Sequence, residues 1–111
     1  MGAVSGRYYV RYTYRVDPDR RPQLIEALAV LRDYADWLGM VSFEVFGVED
    51  EPWTVVELHG YDSWSHHQRL AQRQAPPEVE RVYAQLDLLI DGGLDAMTRE
   101  AWTQIPLPIE E

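Results

Sequence analysis

Met40-Val-Ser-Phe-Glu-Val-Phe-Gly-Val48, Glu49-Asp-Glu-Pro52 and Trp53-Thr-Val-Val-Glu-Leu-His-Gly60 form the stretch that decides the fold. Two runs rich in Val, Phe and Trp flank a short acidic turn, which reads as two strands joined in a hairpin. Helical patterns stand on both sides of it. Upstream, Tyr8 to Val16 alternates aromatic or β-branched residues with Arg and Thr, the period of a strand. Asp17-Pro18-Asp19 then starts a helix over 20–38, whose apolar positions Leu24, Ile25, Leu28, Leu31, Ala35 and Leu38 recur near 3.6. Gly39 is its stop. Downstream, Asp62-Ser63 caps a helix running from Trp64 to about Gln74. Pro76-Pro77 ends it and opens a third helix, with Val79, Val82, Tyr83, Leu86, Leu89 and Ile90 as its stripe and Gly92-Gly93 as its end.

Residues 95–104 read as a last strand or a short helix, and both stay open. With a strand there, the order is β-α-β-β-α-α-β, an α+β ferredoxin-like layer with an antiparallel four-stranded sheet. The chain of 111 residues has room for one core. The expected division is a flexible N-terminal tail over 1–7, a single domain over 8–104 and an extended tail over 105–111.

Composition narrows the function. There is no cysteine, which excludes disulfides, thiolate metal sites and cysteine nucleophiles. All ten cations are arginine, so lysine Schiff bases and phosphate-loop lysines are excluded as well. The net charge of −9 argues against nucleic acid and anionic membranes as partners. No apolar run reaches the roughly 18 residues of a membrane span, and the N-terminal residues lack the pattern of a secretory signal. A cytoplasmic protein is expected. The charge is uneven: Arg7, Arg11, Arg15, Arg20 and Arg21 meet only Asp17 and Asp19 in the first 21 residues.

Alternation sorts the strand residues by face. Val10, Tyr12, Tyr14, Val16, Val41, Phe43, Val45, Val56 and Leu58 should pack on the helices. The other face should gather Arg11, Glu44, Glu57 and His59 among Tyr9, Phe46, Trp53 and Val55. A few polar groups in an apolar surround is the composition of a small-molecule pocket. Arg11 with Glu44 or Glu57 also reads as a buried ion pair at an interface. A sheet apolar on both faces needs a second sheet, and a second subunit is the natural supplier.

The segment Glu57-Leu-His-Gly-Tyr-Asp-Ser-Trp-Ser-His-His-Gln-Arg69 resembles the "E…SW..H.R" junction of the antibiotic-biosynthesis-monooxygenase-like domains of the dimeric α/β-barrel superfamily. Together with Tyr12-Thr-Tyr-Arg-Val-Asp-Pro-Asp-Arg20 and Gly39, it is similar to the variant also appended to some actinobacterial major-facilitator transporters. The resemblance covers roughly residues 8–102. It implies a homodimer whose two sheets build a barrel, with a cavity between sheet and helices or within the barrel. It also implies cofactor-independent oxygenation or cyclisation of aromatic, polyketide-type molecules, or ligand binding without catalysis. Trp64 and His67 match the motif's tryptophan and helix histidine. Haem-degrading members are a third possibility, but they use an asparagine near the first strand and this chain has none.

Cofactor-free oxygenation requires a base and a stabilised phenolate. The expected catalytic residues are His67, His59, Trp64 and Arg11; the expected substrate contacts are Tyr9, Glu44, Phe46, Trp53 and Glu57. His66 reads as solvent-facing. No cofactor is expected, and no ligand spacing supports a metal held by His59, His67 and Glu57. Arg69 and Arg73 read as surface pairs with Glu78 and Glu80. Trp37 and Trp102 read as core or interface.

Overall fold

Antiparallel pairing joins four strands in the order β2-β3-β1-β4, with β1 at Tyr8–Arg15, β2 at Ser42–Val48, β3 at Glu51–Tyr61 and β4 at Thr98–Thr103. Helices α1 (Arg21–Asp33), α2 (Trp64–Ala71) and α3 (Pro77–Leu89) lie on one side of it. The computed structural model describes residues 7–108, so the tail expected over 1–7 lies, but for Arg7, outside the described residues, as do 109–111. The architecture is the expected α+β ferredoxin-like one. The open reading of residues 95–104 resolves into both alternatives in series, a 3-10 turn at Leu94–Ala96 followed by β4.

Local chemistry explains the boundaries. The Asp17 carboxylate accepts from the Asp19 backbone N–H at 3.0 Å, capping a 3-10 turn at Pro18–Arg20 that leads into α1. α1 ends earlier than expected, and the chain turns through Gly39 at φ 78°, a conformation that favours glycine. Ser63 caps α2, its Oγ accepting from the His66 N–H at 3.1 Å. Gly93, at φ 76°, stands where a Cβ would meet an Asp87 carboxylate oxygen at 2.7 Å.

The main core joins Tyr14, Val16 and Val55 of the sheet side to Leu24, Leu28 and Leu31 of α1 and to Val79, Val82 and Leu86 of α3. Each such side chain contributes about 1.5–3 kcal/mol on burial. A second cluster of Tyr8, Val10, Met40 and Tyr61 holds the other end of the sheet. α1 and α3 pack on each other, while α2 touches chiefly β3. That uneven packing leaves a space beneath the sheet.

The register corrects one expectation. Tyr12 pairs with Glu57 and Val10 with His59, while Phe43 lies opposite His59. Glu57, His59 and Val55 therefore share the helix-facing side with Tyr12 and Tyr14. Val56 and Leu58, expected on that side, occupy the opposite face with Tyr9, Arg11, Glu44 and Phe46. The expected gathering of Arg11 and Glu44 with Glu57 and His59 does not occur. The physical reason is that Glu57 and His59 satisfy one another and Tyr14 inside the fold, so the helix-facing side buries them without leaving a polar group unpaired.

Candidate functional site

The space beneath the sheet is a cavity of about 440 Å³, within the usual range for small-molecule sites. Strand alternation aims Tyr12 of β1 and Glu57, His59 and Tyr61 of β3 into it. Trp37, Leu38, His67, Arg73, and Tyr83 and Leu86 of α3 complete the lining. The lining is mostly apolar and aromatic, with few polar groups.

Glu57 is 2% exposed. Its Oε1 lies 2.9 Å from His59 Nε2, and its Oε2 accepts from the Tyr14 hydroxyl. With a carboxylate oxygen as its partner, His59 Nε2 is the nitrogen that carries hydrogen, which leaves Nδ1 as the basic atom. The rings of Tyr12 and Phe43 flank the imidazole, each 5.0 Å away between centroids. Packing and the carboxylate together fix its orientation.

His67 comes from the first turn of α2. Its ring meets Tyr61 edge-on at 4.6 Å and Tyr8 at 5.1 Å. Its Nδ1 is buried without a hydrogen-bond partner, which is a polar group in need of one. Burial, the nearby Arg99 guanidinium and His59 all hold its pKa below the ordinary 6.5. The ring is therefore neutral at pH 7 and can donate or accept. Arg99, placed opposite Tyr12 on β4, donates to the Tyr8 hydroxyl at 3.4 Å. The Tyr14 phenol is pushed up by burial and by Glu57, Tyr61 by burial and by Tyr12, and Tyr83 by burial. The cavity thus offers tyrosine hydroxyls as donors, not phenolates.

The His67 shift gives a first expected outcome. An unfolded chain binds the proton more readily than the folded one, so stability contributed at this ring is complete above pH 6.5 and declines as pH falls towards the folded value. Proton NMR titration of the His67 ring should show a midpoint below 6.5; a midpoint at or above that value contradicts the burial argument.

The remaining expected site residues lie elsewhere. Arg11 is on the open face, 3.5 Å from Glu100 and stacked over Trp102 at 5.6 Å. Tyr9, Glu44 and Phe46 share that face by register. Trp53 lies under Arg15, Cζ to ring centroid 5.4 Å. Trp64 opens α2 with 52% of its surface exposed and does not line the cavity. Tyr12, Tyr61, Tyr83 and Trp37 line the cavity without having been singled out; the first two carried a signal in the strand period once the register was known. Arg73 does not pair with Glu78 or Glu80 but stacks on Trp37. Among the described residues no group of three His, Asp or Glu converges as metal ligands would, and no helix is long and apolar enough to cross a membrane.

The sequence matches no protein-family model, and no curated protein is significantly similar to it. Solved structures do resemble it. A candidate antibiotic biosynthesis monooxygenase of Caulobacter crescentus CB15 superposes with a TM-score of 0.72 over 93% of each chain at 15% identity. Another from Nitrosomonas europaea gives 0.72 at 10% identity, covering 95% of this chain and 96% of that one. A dimeric ferredoxin-like protein of unknown function from Jannaschia gives 0.68 at 18% identity, covering 87% of this chain and 98% of that one. At such identities the likeness is one of fold. It bears out the resemblance at that level and says nothing of the transporter-appended variant.

Proposed function

We propose that the chain works as a cytoplasmic homodimer that binds a hydroxylated aromatic molecule beneath each sheet and oxygenates it without a cofactor. The observation that carries this reading is the buried Glu57–His59 pair lining one cavity together with His67, whose Nδ1 has no hydrogen-bond partner. The fold shared with monooxygenase-like proteins supports it at the level of architecture.

His59 takes a proton at Nδ1 from an electron-rich ring carbon or its hydroxyl, while Glu57 stabilises the cation that forms. His67 and the tyrosine hydroxyls donate to the phenolate oxygen. The resulting carbanion passes one electron to dioxygen, and the radical pair joins as a carbon-bound peroxide. Return of the proton from His59 gives a hydroperoxide. Loss of the second proton from the same carbon, as the O–O bond breaks, forms the carbonyl and releases water, so a CH₂ group and O₂ become a carbonyl and H₂O. The apolar walls keep bulk water from the carbanion.

Oxygen uptake with anthrone-type hydroxyaromatics tests this reading. Replacing His59 with Gln should lower the rate by about 10²–10⁴-fold, the range of a lost general base. Replacing His67 with Ala should raise KM and lower kcat by smaller factors. Uptake unchanged in both variants removes them from the chemistry. Tight binding with no uptake assigns the chain to the non-catalytic, ligand-binding class.

A further inference from the structure

Arg73 follows α2 at the cavity wall. Its Cζ lies 5.3 Å from the centroid of the Trp37 ring, and Nη1 donates to the Trp37 carbonyl oxygen at 3.2 Å. Both residues line the cavity. Among the described residues, no carboxylate lies within ion-pairing distance of this guanidinium. Of the ten arginines only Arg11 and Arg15 are ion-paired among the described residues, so what marks Arg73 is its place in the cavity lining and its stacking on Trp37. Arg99, near His67 but outside the cavity lining, is engaged by the Tyr8 hydroxyl. The one carboxylate in the cavity, Glu57, is already held by Tyr14 and His59. Arg73 is thus the arginine that lines this space, and the one carboxylate there is engaged by internal partners.

From this arrangement we infer that the ligand is an aromatic acid, its flat body lying among the tyrosines and its carboxylate read by Arg73. A guanidinium presents a planar fork of N–H donors that matches a carboxylate. Stacking on Trp37 and the bond to the Trp37 carbonyl hold that plane before the ligand arrives, which lowers the ordering cost of binding. The inference rests on the cavity proposed above as the binding site and narrows what enters it.

The test pairs two near-isosteric probes, 2-naphthoic acid and 2-naphthamide, binding to the intact protein at pH 7.5 and followed by quenching of tryptophan fluorescence and by calorimetry. The acid should bind about tenfold more tightly than the amide, as expected of hydrogen bonds to a charged group. Arg73→Gln should remove that preference by weakening the acid alone, and Arg73→Lys should restore part of it. Equal binding of acid and amide to the unaltered protein overturns the anion subsite and leaves the aromatic cavity standing. A preference for the acid that survives Arg73→Gln overturns the assignment to Arg73. Binding of neither probe overturns the cavity reading and this inference with it.

Discussion

Glu57→Ala is expected to lower the free energy of unfolding by about 3–5 kcal/mol, the range for removing one partner of a buried, hydrogen-bonded pair. Two groups lose their acceptor at once: the Tyr14 hydroxyl, on a residue 3% exposed, and His59 Nε2. Each orphaned polar group costs about 1–3 kcal/mol, and the missing side chain leaves a void at the cavity floor. A domain of this size has only about 5–15 kcal/mol in total, so the variant should be partly unfolded under mild heating. Tyr14→Phe removes one bond and should cost about 1–2 kcal/mol. Because Tyr14 and His59 meet on a single carboxylate, the double variant should cost less than the sum of the two. Urea denaturation with an unchanged m-value is the measurement. A loss below about 1 kcal/mol for Glu57→Ala would mean that water takes the place of the carboxylate and that its role is confined to aligning His59.

That same carboxylate explains why part of the site escaped the sequence. The hairpin was legible because its strands and turn lie within one short window. Pro77 was legible because it opens α3 through its own backbone chemistry, whereas Gly39 marks a turn beyond the end of α1 and not the end itself. The face of β3 was not. Val55-Val56-Glu57-Leu58-His59 is apolar or semi-polar on both sides, so period alone does not choose between them. Choice falls to Tyr14, 43 residues away from Glu57, and no local pattern reports that distant bond. β4 was obscure for a related reason: Thr98–Thr103 is exposed throughout, and its pairing with β1 is what makes it a strand. Arg73 is exposed, as it reads, but its partner is the ring of Trp37, on the far side of two strands in sequence, and not Glu78 or Glu80. Fold followed from local signals; the site follows from contacts between residues far apart in the chain.

Val56→Glu is the second large expected effect, and its consequence falls on assembly. The helices all lie on one side of the sheet, and no element of the described chain covers the other. That open face mixes charged and apolar residues: Arg11, Glu44 and Glu100 share it with Val56 and Leu58 of the central β3, Tyr9 and Thr13 of β1, and Phe46 at 45% and Trp102 at 42% exposure. The apolar part of such a surface is stable against a second sheet about 10 Å away, and the homodimer proposed above would supply one by two-fold symmetry. Val56 sits between Thr13 and Phe46, with no cation directly opposite it. A glutamate there stays solvated in a lone subunit, but in the dimer two carboxylates lose water without partners, at several kcal/mol each. The dimer dissociation constant should rise by about 10³-fold or more, giving a monomer at micromolar concentrations by sedimentation velocity. The cavity lies on the opposite side of the sheet, so 2-naphthamide should bind this monomer as it binds the unaltered protein. A Val56→Glu protein that remains dimeric places the interface elsewhere. An unaltered protein that is already monomeric removes the homodimer, and the open face then needs a different cover.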